Sequence, residues 1–257
     1  MLKDSFSHAG DDAFRRALGE DGEWLDHWDF DIGGPLLADG TCRIADLGNL
    51  PTKSKDGKGN RKLIEAQTRK ILAAGAVPLI FGGDDSIPIP FIAGFSGSSP
   101  LTILQIDAHI DWRDEVQGER LGLSSTMRRA SERGHIEAII QVGQRGIGSE
   151  RVQDVAEAEA WGVGFVPAGE VARYGITRAL DLIAEGAEVI ICLDLDALDP
   201  SVMPAVIGRT AGGLGYWQVL ELIAGVAEKA RIVGFDMVEF MPDRDIDGQG
   251  AALAAQL

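Results

Sequence analysis

The sequence predicts an α/β protein: a mainly parallel sheet covered by helices on both faces. Three observations predict it. Short, continuous apolar runs recur along the chain, as strands buried on both faces require. Stretches with helical apolar spacing alternate with those runs. The chain of 257 residues also carries 33 glycines, enough to supply many tight turns between strand and helix.

The elements follow in order. Residues 1–30 read as an irregular segment containing Trp24 and Trp28. CRIADL (42–47) is a short apolar run that ends in a Gly-Asn turn. In NRKLIEAQTRKILAAG (60–75), Leu63, Ile64, Ile71 and Leu72 share one helical face, and Gly75 ends the helix. VPLIF (77–81) has the pattern of a buried strand, as do LTILQID (101–107) and EAIIQV (137–142). GQRGIG and a helical SERVQDVAEAEAW (149–161) come next, then a weak strand near Phe165 and a helix around 177–185. EVIICLDLD (188–196) is the strongest strand signal. A helix over 216–230 precedes the last strand, RIVGFDMV (231–238). No repeat, low-complexity tract or linker interrupts the series, so residues 1–257 read as a single domain. KSKDGKGNRK (53–62) is basic and glycine-rich, but it lacks the P-loop spacing and reads as a solvated loop. The glycines of GQRGIG (143–148) miss the offsets of the dinucleotide fingerprint.

Composition narrows the function. Hydrophobic residues make up 45% of the chain, sufficient for a substantial core. A net charge of −16 argues against a nucleic-acid partner and suits a cationic ligand or bound metal ions. Cys42 and Cys192 are too few and too distant for a disulfide framework, which points to a reducing, cytoplasmic setting. The opening MLKDSFSHAGDD lacks the apolar stretch of a signal peptide. No apolar run approaches the roughly 18 residues of a membrane helix.

Chemistry concentrates at the strand ends. In open α/β sheets ligands bind at the C-terminal ends of the strands, and four apolar strands here run into acidic residues at that end. The first leads to Asp84 and Asp85, within FGGDDSI. The second leads to Asp107, His109 and Asp111, the third to Asp194, Asp196 and Asp199, and the last to Asp236 and Glu239. On an extended backbone, residues two apart share a side, so Asp107, His109 and Asp111 can point together, as can Asp194 and Asp196. Carboxylates converging on one rim repel unless cations lie among them. Oxygen ligands with one imidazole suit Mn²⁺ or Mg²⁺, and the number of aspartates argues for two ions. Taken singly, each feature has a plainer reading: a lone DxD is commonly a cap or a solvated turn, and Asp199-Pro200 is most simply a turn. Three such clusters at successive strand ends are harder to dismiss.

These residues resemble the ureohydrolase family of arginases, agmatinases and guanidinobutyrases. That family shows GGDHS, DAHxD, DxDxxDP and a late strand ending in VE. This chain has GGDDS (82–86), DAHID (107–111), DLDALDP (194–200) and MVEF (237–240), in the same order, with QVGQRG (141–146) as a further family-like turn. The resemblance implies a three-layer α/β/α sandwich and a homo-oligomer, trimer or hexamer. It implies two divalent ions, Mn²⁺ by the family's habit. Asp107 and Asp194 would bridge them, Asp111 would complete one site, and His109 and Asp196 the other, with Asp85 as a further metal ligand. The implied reaction is hydrolysis of a small guanidino compound to urea and an amine. Two ions roughly 3.5–4 Å apart share a water and acidify it, so that hydroxide attacks the guanidinium carbon. Asp107, His109 and Glu239 take the catalytic parts, with Glu239 receiving the guanidinium through paired hydrogen bonds.

The chain also departs from the pattern. Asp85 stands where the family has a metal-binding histidine, which adds negative charge and favours hard ions. Leu123 of GLSSTMRRA (122–130) takes the place of a histidine thought to shuttle protons, leaving Ser124, Ser125 or a water to serve the leaving amine. The other histidines are His8, His27 and His135, the last read as a plain surface residue. AVIGRTAGG (205–213) replaces a GTGTPEPGG-like loop, and both ends look shortened against the family. The SSTMRRA stretch favours an agmatine-like or guanidino-acid substrate over arginine. A catalytically degenerate subunit with an oligomer-building or regulatory role is the alternative. A phosphotransfer reading of DLDAL wants Thr or Val where Leu198 stands, and leaves DAHID unexplained.

Overall fold

A computed structural model describes residues 13, 15–17, 19, 27–35, 43–97, 100–148 and 150–257. Its centre is a six-stranded sheet, all of whose pairings are parallel. The strands are β3 (Leu79–Phe81), β4 (Leu101–Ile106), β5 (Ile136–Val142), β6 (Gly164–Val166), β7 (Glu188–Asp194) and β8 (Arg231–Val238), in the order β3-β8-β7-β4-β5-β6. β1 (Trp28–Asp29) and β2 (Gly34–Pro35) form a separate small antiparallel pair. The Tyr216 hydroxyl donates to Asp31 Oδ2 at 2.6 Å, tying this hairpin to the helix Tyr216–Lys229.

Alternation along the strands divides the core in two. Leu104 and Ile106 of β4 face one layer with Ile191 and Leu193 of β7, covered by Val171, Val219, Leu222, Val226 and Ala254 from helices. Leu101 and Ile103 face the other, covered by Ile64, Phe91, Ile92, Met127 and Ala158. Apolar residues on both faces of these strands explain the continuous hydrophobic runs, and the result is three layers, helix–sheet–helix.

Several local expectations change. VPLIF is an edge strand: β3 pairs with β8 alone among the described residues, and Val77 and Leu79 are 48% and 56% exposed. Residues 43–50 form no regular element and residues 43–49 are exposed; Cys42 and Trp24 lie outside the described residues, as does His8. The basic stretch 53–62 is not all loop, because the helix begins at Gly57 and runs to Ala73. Its cap explains the glycine: Asp56 Oδ1 accepts from Gly59 N at 2.8 Å, and a Cβ on Gly59 would stand 2.2 Å from Asp56 Oδ2. The predicted helix near 177–185 is the short Thr177–Asp181, preceded by Ala168–Tyr174 with Gly175 between them at φ +76°. In the 1–30 segment, residues 13, 15–17 and 19 are helical and 28–29 belong to the hairpin, so the described part is not irregular throughout.

The topology positions the site. From β4 the chain crosses to β5 on one side, and from β7 to β8 on the other. The first crossover carries the helix Thr126–Ser131 and the second Tyr216–Lys229, packed in opposite cores. The order therefore reverses between β4 and β7, and the crevice outside their C-terminal ends is where such sheets bind ligands.

Candidate metal centre

Asp107 and Asp194 stand on either side of that crevice, at the ends of β4 and β7. The backbone stops being extended at both places. Past Ile106 the chain turns, and Asp111 adopts φ +47°. Past Asp194 a 3₁₀ turn spans Leu195–Ala197, and Asp194 Oδ1 accepts from Asp196 N at 2.7 Å. The same-side argument from extended geometry therefore fails, and the turns deal the side chains into two groups instead. Asp107, His109 and Asp196 bring ligand atoms within 4.8 Å of one another, and so do Asp85, Asp107 and Asp194. Asp107 belongs to both. His109 Nδ1 lies 3.4 Å from Asp107 Oδ1 and 3.2 Å from Asp196 Oδ2. Asp111 is outside both triads and meets Asp85, carboxyl to carboxyl. Across the crevice, Asp196 Oδ1 accepts from Ala108 N at 3.2 Å, which fixes the β7 turn to the β4 turn.

Glu239 follows β8 at φ +64°. Its amide donates to Gly83 O and its Oε1 accepts from Asp85 N, each at 3.0 Å, locking the GGDDS loop to the end of β8. Asp84 turns away to its own loop, accepting from Ser86 N and the Ser86 hydroxyl.

The electrostatics of this arrangement are severe. Burial pushes the carboxyls of Asp85, Asp107 and Asp194 well above the ordinary carboxylate range. Asp111 adds to the effect at Asp85 and Asp107, and Asp196 at Asp194. Hydrogen bonds donated to Asp107 and then Asp196 hold the His109 imidazole protonated up to about 12. Burial raises Glu239 to about 7. Asp85 Oδ2 is buried with no partner. A set of hard oxygens and one imidazole, with an orphaned carboxylate oxygen among them, fits divalent cations of the Mg²⁺ and Mn²⁺ kind.

The remaining candidates fall in different places. Ser124, at φ +72°, keeps 9% of its surface exposed, whereas Ser125 has none and its hydroxyl has no partner. Ser125 is fully buried, while Ser124 beside it keeps a little of its surface exposed. Asp199 organises the loop after Pro200, accepting from Ser201 N and Oγ and from the amides of Gly212 and Gly213; the Ser201 hydroxyl leads in holding its carboxyl down to about 2. Arg209 is engaged by Pro204 O and Arg244 O. His135 turns a ring nitrogen to Ile92 O.

Arg145, in the QVGQRG turn, does more than its motif announced. Its guanidinium donates to the carbonyls of Asp196, Ala197, Leu198 and Thr210, gathering the β7 turn and the 205–213 loop onto the end of β5. Gly143 approaches the site's backbone closely: its φ is +111°, and a Cβ there would stand 2.9 Å from Asp107 O. Sequence reasoning also missed Gln105 and Gln141, which lie directly beneath the carboxylates. A cleft of about 360 Å³ opens beside His109, lined by Ile110, Gln144, Arg145, Gly148 and Glu150 among others. A larger hollow of about 440 Å³ between Trp112 and Trp161 contains none of the clustered carboxylates.

Comparison with known proteins gives concordant matches. A family model described as Arginase family matches residues 7–257. The human mitochondrial guanidino acid hydrolase is 31% identical over 228 residues, covering 83% of this chain and 62% of its own length. The N(1)-aminopropylagmatine ureohydrolase of Thermus thermophilus is 34% identical over 199 residues, covering 77% and 66%. The chain thus spans about two thirds or less of the length of these curated relatives. Among solved structures, the agmatine ureohydrolase of Thermoplasma volcanium superposes with a TM-score of 0.78 at 27% identity, covering 96% of this chain and 79% of that one.

Proposed function

The chain belongs to the Arginase family, and we propose from that premise that it hydrolyses a small guanidino compound to urea and an amine. One observation carries the reading: two triads of ligand atoms share Asp107 at the point where the sheet reverses its order. Asp85, Asp107 and Asp194 would hold one cation and Asp107, His109 and Asp196 the other, with Asp111 steadying Asp85. Bound there, two divalent cations supply Lewis acidity and make a water acidic enough to be a nucleophile near neutral pH. Glu239 orients the flat guanidinium: one oxygen is committed to Asp85 N, and the charge of the carboxylate matches the substrate. Held this way, the guanidinium carbon faces the crevice between β4 and β7, and positioning of that kind accounts for much of the rate gain in two-reactant chemistry. Ser124 supplies a hydrogen bond to the departing amine, the part a histidine plays elsewhere in the family.

Agmatine-like compounds and guanidino acids are the favoured substrates, in keeping with the names of the relatives above. We further propose Mn²⁺ as the ion, a trimeric or hexameric assembly, and a cytoplasmic location. The net charge of −16 does not suit nucleic acid, and among the described residues no helix is long and apolar enough to cross a membrane. The test is urea release from arginine, agmatine, guanidinobutyrate and guanidine by protein of measured metal content. Release from one of them with two ions bound supports the proposal. Two ions without urea from any would favour the non-catalytic subunit, and no bound ion would overturn both.

A further inference from the structure

One level below the carboxylates, a polar row crosses the sheet. The strand register places Gln141 of β5 beside Gln105 of β4, Gln105 beside Cys192 of β7, and Cys192 beside Asp236 of β8. All four are buried, in strands whose interiors are otherwise mostly apolar. A buried primary amide is costly unless its hydrogen bonds are made, so the way these two amides are spent is informative. Gln141 Nε2 donates to Gln105 Oε1 and, at 2.8 Å, to Ile110 O. With its oxygen so occupied, Gln105 turns Nε2 upward and donates to Asp107 Oδ2 at 2.7 Å and to Asp111 Oδ2 at 2.6 Å. Both amide hydrogens are used. With Gln141 Nε2 held on Ile110 O, a flipped Gln105 would set its NH₂ against that of Gln141, so Gln141 holds Gln105 in this orientation, although its own Oε1 is buried without a partner.

We infer that Gln105, oriented by Gln141, is a positioning residue that selects which oxygens of Asp107 and Asp111 face the cations and so sets the affinity of the centre for them. The inference rests on the reading above, in which these carboxylates hold cations. The tie occupies Oδ2 of Asp107 and puts Oδ1 on the His109 side, where it accepts from His109 N at 2.6 Å and lies 3.4 Å from His109 Nδ1. The donor is also neutral. A lysine or arginine in that place would relieve the same repulsion but compete with the dications, whereas an amide orients the carboxylates without adding positive charge.

The experiment is a Mn²⁺ titration by calorimetry on the full chain, comparing wild type with Gln105→Leu, Gln141→Leu and the double variant. Thermal melts of the metal-free proteins run alongside. Gln105→Leu is expected to weaken Mn²⁺ binding about 10- to 100-fold, the usual cost of losing a partner behind a metal ligand. Gln141→Leu is expected to weaken it by a smaller factor. The double variant is expected to bind no more weakly than Gln105→Leu, because Gln141 acts through Gln105. Gln105→Glu keeps the shape of the side chain while exchanging donor for acid, and is expected to weaken binding at least 10-fold even where a leucine is not tolerated. Variants that melt lower but bind Mn²⁺ as tightly as wild type would show a merely structural role and overturn the inference, as would independent, multiplying effects of the two leucine changes. A wild-type protein that binds no ion would overturn the inference together with the proposed function. Tight wild-type binding with unaltered variants would overturn the inference alone.

Discussion

Replacing Asp85 by asparagine should stabilise the metal-free protein and lose that advantage once ions are bound. Asp85, Asp107 and Asp194 hold ligand oxygens within 4.8 Å of one another. At an effective dielectric of about 20, two ionised carboxylates at that distance repel by roughly 3.5 kcal/mol. The metal-free protein avoids this by keeping protons, which is why burial and neighbouring carboxylates raise all three. A carboxyl with a raised folded-state pKa contributes stability that is present below its unfolded value, near 3.9, and lost as pH rises through the folded value. Metal-free wild type should therefore weaken as pH rises from 6 to 8. Metal-free Asp85→Asn should weaken less, and at pH 8 should be the more stable by up to about 3 kcal/mol, or roughly 6–12 °C in Tm for a chain of this size. With Mn²⁺ that advantage is cancelled. Each ion at 100 times its Kd stabilises by about 2.7 kcal/mol, so the wild type should gain roughly 10–20 °C from two ions and the variant about half of that. Scanning calorimetry at pH 6 and pH 8, after chelation and after Mn²⁺ addition, reads all four states. A variant destabilised equally with and without the ion would refute the reasoning, because Asp85 would then be packing and not a ligand.

Glu239→Gln preserves an acceptor for Asp85 N but removes the charge that meets the guanidinium. Urea assays should show kcat/KM lowered about 100-fold, in line with losing a charge-assisted hydrogen bond, while metal analysis finds the same ion content as wild type. His109 is held protonated up to about 12 by Asp107 and Asp196, and the buried aspartates keep protons as well, so ion binding must expel them. Apparent affinity should accordingly rise with pH across 6 to 8, and calorimetry in two buffers of different ionisation enthalpy should show proton release; a buffer-independent heat would contradict it. Ser124→Ala should lower turnover by about 10-fold or more with unchanged metal affinity, and wild-type turnover would remove Ser124 from the reaction.

The central sheet was legible because its strands are buried on both faces, and the Leu, Ile and Val that dominate 101–106 and 188–194 leave little else to read there. What pairing decides was not legible. VPLIF has the composition of an interior strand, yet its place at the edge depends on β8, more than a hundred residues away. The start of the helix at Gly57 was masked by two glycines, one of which is there for the Asp56 cap. At the site, the density of carboxylates at strand ends announced where chemistry sits. Their division into two triads did not follow from spacing, since counting by twos presumes an extended backbone, and Asp111 at φ +47° and the 3₁₀ turn at Leu195–Ala197 are not extended. Gln105 and Gln141 give no signal in a linear reading: each is one polar residue in an apolar strand until the register sets them side by side.

The most direct measurement is a crystal of the protein soaked in Mn²⁺, with anomalous diffraction recorded at the manganese edge. The account predicts two peaks in the crevice between β4 and β7, one touching Asp107, His109 and Asp196 and the other Asp85, Asp107 and Asp194, with Asp107 in contact with both. A crevice without peaks, or a single peak that leaves Asp107 untouched, would contradict it.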